Sequence, residues 1–122
     1  MKDLRKIAQQ QTVLSKLMEG REKITMKNLV KAYPNGVTVT SVDMVPDAKT
    51  GEMYSIFTFS ENEELFSSGG IVFNKIVKAW ITEYDNDIEM LNHDLAEMGG
   101  VKVKFTYDKT ENDRDIVICE IL

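Results

Sequence analysis

Residues 64–73 read Glu64-Leu65-Phe66-Ser67-Ser68-Gly69-Gly70-Ile71-Val72-Phe73, "ELFSSGGIVF", and the reading of this stretch decides the fold. Free N–H groups at a helix start attract anions, and glycine lets a phosphate approach, so a nucleotide cradle is one reading. A Walker loop, however, needs Lys and Ser/Thr after its final glycine, where this chain has Ile71 and Val72. The dinucleotide fingerprint G-x-G-x-x-G is also absent. The stretch therefore reads as the end of a strand and the start of a helix, with Ser67 or Ser68 as the cap and Gly69-Gly70 as the bend.

Upstream of it lie two more strands. "VTVTSVDMV" from Val37 alternates and is rich in β-branched residues. "EMYSIFTFS" follows a polar turn from Pro46 to Gly51, with Tyr54 and Ile56 on one face and Phe57 and Phe59 on the other. "EELFSS" makes the third, short strand. Downstream, Val72, Phe73, Ile76, Val77 and Trp80 mark an amphipathic helix. A second helix begins behind Asp85-Asn86-Asp87, with Ile88, Leu91, Leu95 and Met98 on one stripe. "VKVKFTY" and "IVICEIL" close the chain as a hairpin. Val101, Val103, Phe105 and Tyr107 share one face of it, and Lys102 and Lys104 the other.

At the N-terminus, Leu4, Ile7, Ala8, Leu14, Leu17 and Met18 recur at helical spacing and Gly20 stops the helix. Thr25 caps a shorter helix, "MKNLVKAY", ended by Pro34-Asn35-Gly36. The expected fold is a mainly β α+β domain. It is an OB-like barrel or curved sheet of five antiparallel strands, with helices between strands 3 and 4 and two added N-terminal helices. An open sheet packed by helices on one face, or a four-stranded sheet without "EELFSS", are the alternatives. All 122 residues read as one domain: 1–33 a helical extension, and 37–122 a β-rich body with a helical insertion over 71–98.

Composition narrows the chemistry. Hydrophobic residues make up 43% and charged residues 29%, as in globular proteins. No apolar run approaches the ~20 residues that span a bilayer. The N-terminus has charges and glutamines in place of a signal peptide's apolar core, so a cytoplasmic location is expected, without a membrane partner. The single Cys119 lies in an apolar run and reads as a buried thiol. The lone His93 has no His or Cys neighbour to complete a metal site, and no G-x-S-x-G elbow surrounds any serine. The expectation is a protein that is not an enzyme and carries no metal or cofactor.

Net charge is −5, unevenly spread. Residues 1–31 carry eight Lys/Arg against three acidic residues, and the remainder carries seven against seventeen. That asymmetry fits a basic arm for an anionic partner, or a basic segment docked on an acidic body. Single-stranded nucleic acid requires aromatic side chains to stack on bases and cations to follow phosphates. Tyr54, Phe57 and Phe66 are the candidate stackers, and Lys102, Lys104 and Arg114 the candidate phosphate partners. Lys109 lies in the same last loop as Arg114.

The segments "LSKLMEGREKI", "YPNGVTVTSVDMV", "LFSSGGIVFNKIVKAW" and "GGVKVKF…EIL" together resemble small phage and mobile-element proteins of Gram-positive bacteria, described as single-stranded DNA-binding or hypothetical. The aromatic-rich patch expected ahead of the double glycine is reduced here to Phe66. The resemblance implies single-stranded DNA binding without strong sequence preference, serving replication or recombination of such an element. The N-terminal helices would supply a basic arm or a homo-oligomer surface. An interaction module with no nucleic-acid ligand is the alternative, motivated by the basic N-terminal segment facing an acidic helix.

Overall fold

The computed structural model describes residues 15–109 and 111–122. The expected first helix lies outside the described residues up to Leu14. Its last part, Lys16–Met18, is a 3-10 turn capped by Ser15, whose side chain accepts from the Leu17 amide. The following elements are β1 (Glu22–Lys23), α1 (Met26–Ala32), β2 (Val37–Pro46), β3 (Met53–Phe59) and β4 (Leu65–Ser68). Then come α2 (Gly70–Glu83), α3 (Ile88–Glu97), β5 (Val101–Lys109) and β6 (Asp115–Ile121). Thr25 caps α1 and Asp87 caps α3, as their positions in the sequence require.

The strands form one six-stranded sheet in the order β1-β4-β3-β2-β5-β6. Five are antiparallel to their neighbours as expected, but β1 adds a short parallel pair to β4, so the sheet is mixed. The extension before residue 34 is therefore only partly helical. A strand of two charged, exposed residues has no periodicity to read, and only its backbone reveals it.

The sheet is curled. In a flat sheet β4 and β6, four spacings apart in this order, would be about 19 Å from each other. Yet a Cβ on Gly70, two residues beyond β4, would sit 3.3 Å from that of Val117 in β6. No ladder joins β4 to β6, so the curl stops short of a closed barrel. Helices α2 and α3 pack inside it, on Val37, Val39, Val42, Phe57, Phe59, Val103, Phe105 and Cys119. Phe57 is the hub, stacked on Phe105 at 5.3 Å and edge-on to Phe73 at 5.1 Å. Each such ring stabilises the fold by about 1.5–3 kcal/mol through burial, more than a single hydrogen bond's ~1 kcal/mol. The aromatic cluster therefore decides where α2 docks.

That docking explains the opening stretch. Neither Ser67 nor Ser68 caps α2: the N-cap position is Gly69, which makes no side-chain cap bond. Ser67 is buried and donates instead to the Ile24 carbonyl at 2.8 Å, tying β4 to the chain after β1. Gly69 is required because a Cβ there would overlap the Phe73 ring, and Gly70 because φ is +81°.

Hydrogen bonds decide finer points. Strand β2 pairs with β5 only over Val37–Val39 and with β3 from Val39 to Pro46, with a bulge between Val39 and Ser41. Beyond the bulge β5 has left, and Asn92 of α3 takes its place. Its Oδ1 accepts from the Val42 amide at 2.8 Å, and its Nδ2 donates to the Val42 carbonyl at 2.9 Å. Asn74 of α2 does likewise where β4 ends, accepting from the Ser55 amide at 2.8 Å. Replacing Asn92 by Ala strands both Val42 groups and is expected to cost about 1–3 kcal/mol. Asn92→Asp, which sets an oxygen against the Val42 carbonyl, should cost at least as much. Urea denaturation measures both, and unchanged midpoints would contradict the clamp.

Candidate nucleic-acid interface

Among the described residues no helix lies on the convex face of the sheet, and the strand registers determine what it displays. Pairing of Thr58 with Phe66, Val45 with Tyr54 and Thr38 with Lys102 puts Tyr54, Phe66, Lys102 and Lys104 on this one face. The face is divided in two. Leu17 and Met18 of the 3-10 turn lie over Val45, Ile56 and Phe66 beside Tyr54, forming an apolar half beneath a strap. Ser15 anchors the strap by donating to Asp43 Oδ2 at 2.7 Å, and Arg21 Nε donates to the Glu63 carbonyl at 2.8 Å.

The other half is polar. Thr38, Thr40 and Ser41 of β2 are half-buried hydroxyls around the buried Thr58 of β3; Thr40 and Thr58 are 3.0 Å apart and Ser41 also bonds Thr58. Beside them on β5 lie Lys102, exposed, and Lys104, half-buried and cross-strand from Glu120. Acidic groups share the surface. Asp43 is held by Ser15, and Glu61 takes the Thr38 amide at 2.7 Å and the Thr38 hydroxyl at 3.0 Å. Burial works to raise the Glu61 carboxyl, but the Thr38 amide, its own amide and the Thr38 and Ser60 hydroxyls outweigh it, leaving it below its ordinary value.

The six residues singled out in the sequence are only partly united. Phe57 is fully buried on the helix side and has no surface to offer a base, which removes it from the set of stackers. Phe66 is on the convex face but is 8% exposed beneath the strap. Tyr54 is half-buried, and the positions of β2 facing it and Lys102, Val45 and Thr38, are seven residue steps or about 23 Å apart. Lys102 and Lys104 stand side by side on the open half. Arg114 is exposed in the loop between β5 and β6, where Lys109 pairs with Asp113 at 3.2 Å.

Sequence reading missed the hydroxyl row and the strap. "TVTS" signalled Thr38 and Thr40 by alternation, but the bulge that brings Ser41 onto the same face leaves no pattern. Nothing in "SKLM" announces a cover for Phe66.

Elsewhere, a shallow depression on the helix side is lined by Glu52, Met53, Ile71, Asn74, Lys75 and Lys78 and shares no residue with the convex face. Burial, aided by the Glu120 charge, pushes the Cys119 thiol up to about 11, so little thiolate is present at neutral pH. Among the described residues no three His, Cys, Asp or Glu converge as metal ligands, and no helix is long and apolar enough to cross a membrane. No protein-family model, curated protein or solved structure matches the chain.

Because the Glu61 carboxyl is lowered by folding, its stabilisation is complete above its ordinary value of 4.5 and is lost as pH falls through the lower folded value. The stability gap between wild type and Glu61→Gln, measured by urea denaturation, should be present at pH 6 and close as the solution is acidified below about 4.5. A gap independent of pH would contradict the role of the charge.

Proposed function

We propose that the chain binds single-stranded DNA, without strong sequence preference, on the polar half of its convex sheet face. The observation that carries this reading is the pair Lys102 and Lys104 beside a hydroxyl row, over which no helix or strap lies among the described residues. Two adjacent cations would track phosphates, and the half-buried Thr38, Thr40 and Ser41 hydroxyls would hydrogen-bond to phosphate and sugar oxygens. Tyr54, near the start of β3 and level with Val45 at the far end of β2, is the remaining aromatic for base stacking. Arg114 extends the cationic track at the sheet's end. With one half-buried aromatic and acids on the same face, most of the affinity would be electrostatic.

The body is best understood as an OB-like sheet opened along one seam. Support comes from the strand order β4-β3-β2-β5-β6, with both larger helices between β4 and β5, the third and fourth of these strands along the chain. In OB folds the second and third strands and two loops form the ligand surface. Here the corresponding β3–β4 surface lies under Leu17 and Met18, which moves the proposed track toward β2 and β5. Service to a phage or mobile element is supported by the sequence resemblance alone.

Fluorescence anisotropy with a labelled oligothymidylate tests the reading. The double variant Lys102→Gln, Lys104→Gln should bind roughly tenfold more weakly at low salt, and the slope of log K against log salt should shrink by about 1.4. Absence of wild-type binding at low salt, or binding insensitive to salt, would reject it.

A further inference from the structure

The two edges of the sheet are built differently. The β1 edge is two residues long, and both Glu22 and Lys23 are charged and exposed, a combination that discourages further pairing. The β6 edge is seven residues, Asp115–Ile121, without proline, lysine or bulge. Its hydrogen-bonding phase follows from one bond. The Leu122 amide donates to the Lys102 carbonyl at 2.9 Å, so Leu122, Glu120, Ile118 and Ile116 are the residues turned toward β5. Asp115, Val117, Cys119 and Ile121 consequently direct their N–H and C=O groups away from the sheet. Among the described residues no backbone hydrogen bond from another element takes these groups up. Ile121 and Leu122 at the end of the strand are 52% and 59% exposed.

We infer that this edge pairs with β6 of a second copy of the chain, antiparallel about a two-fold axis at Ile118. The register is the one that engages all four outward residues on each side. Asp115 then faces Ile121 of the second copy, Val117 faces Cys119 and Ile118 faces itself, giving about eight new backbone hydrogen bonds. The strand is complementary to itself in this register. Its centre is apolar on both faces, and no like charges oppose, since Glu120 meets Ile116 and Asp115 meets Ile121. The axis is perpendicular to the sheet, so the convex faces of both copies continue into one surface. The two β5 strands then lie three spacings apart, about 14 Å, and the Lys104 residues of the two copies, offset by four residues along them, about 20 Å. The assembly does not depend on DNA binding.

Sedimentation velocity over a concentration series of the full chain, with amide hydrogen exchange followed by NMR, tests it. The expected result is a concentration-dependent dimer in which the outward amides of Val117 and Ile121 exchange slowly. Ile118→Lys sets two lysines against each other across the axis and should weaken the dimer at least about tenfold. The exchange measurement on wild type stands whether or not that variant folds. A monomer at every concentration with fast exchange at Val117 and Ile121 would overturn the proposal. So would a dimer that keeps those amides fast and survives Ile118→Lys, or a monomer in which only an added unrelated extended peptide protects them.

Discussion

Every peptide group buried within a curled sheet needs a hydrogen-bond partner, and strand β2 shows how this chain meets that constraint. Its first residues pair with β5, its later ones with β3, and a bulge between Val39 and Ser41 turns it from one set to the other. Where β5 departs, the Asn92 side chain supplies both bonds to Val42 that a strand would have made. Leaving the amide and carbonyl of the buried Val42 unpaired would together cost about 1–3 kcal/mol, a large part of a domain's net stability. The α3 helix thus contributes to the sheet as well as to the core, and the bend it permits lets β6 approach the start of α2.

The curl assigns the two faces different tasks. Inside, Phe57, Phe73 and Phe105 form a close aromatic cluster that holds α2 against the sheet. Outside, no helix lies on the convex surface among the described residues, and of these the Ser15–Met18 turn covers the apolar half and not the hydroxyl and lysine half. The proposed ligand is flexible and anionic because the groups on this half are cations and hydroxyls spread along strands, with Asp43, Glu61 and Glu120 among them.

Much of this was legible in sequence. The alternation in "VKVKFTY" separated the lysines from Val103 and Phe105, and the phase of "YSIFTF" set Phe57 and Phe59 against Tyr54. The caps at Thr25 and Asp87 were readable because their side-chain bonds are local. Contacts distant in the chain were not. The β1–β4 pair rests on backbone alone, and Ser67 was drawn from its expected capping position to a carbonyl 43 residues away. The burial of Phe66 depends on Leu17 and Met18, which as residues of an expected amphipathic helix gave no sign of crossing the sheet. Aromatic residues were therefore easy to find, and their accessibility was not.

The central claim is that the helix-free face is a DNA-binding surface. Chemical-shift mapping of the isotopically labelled chain during titration with a short oligothymidylate tests it most directly. Amides of Thr38, Lys102, Lys104 and Thr106 should shift progressively, and those of Asn74 and Lys78 on α2 should remain still. Shifts confined to the α2 and α3 helices, or none at low salt, would contradict it.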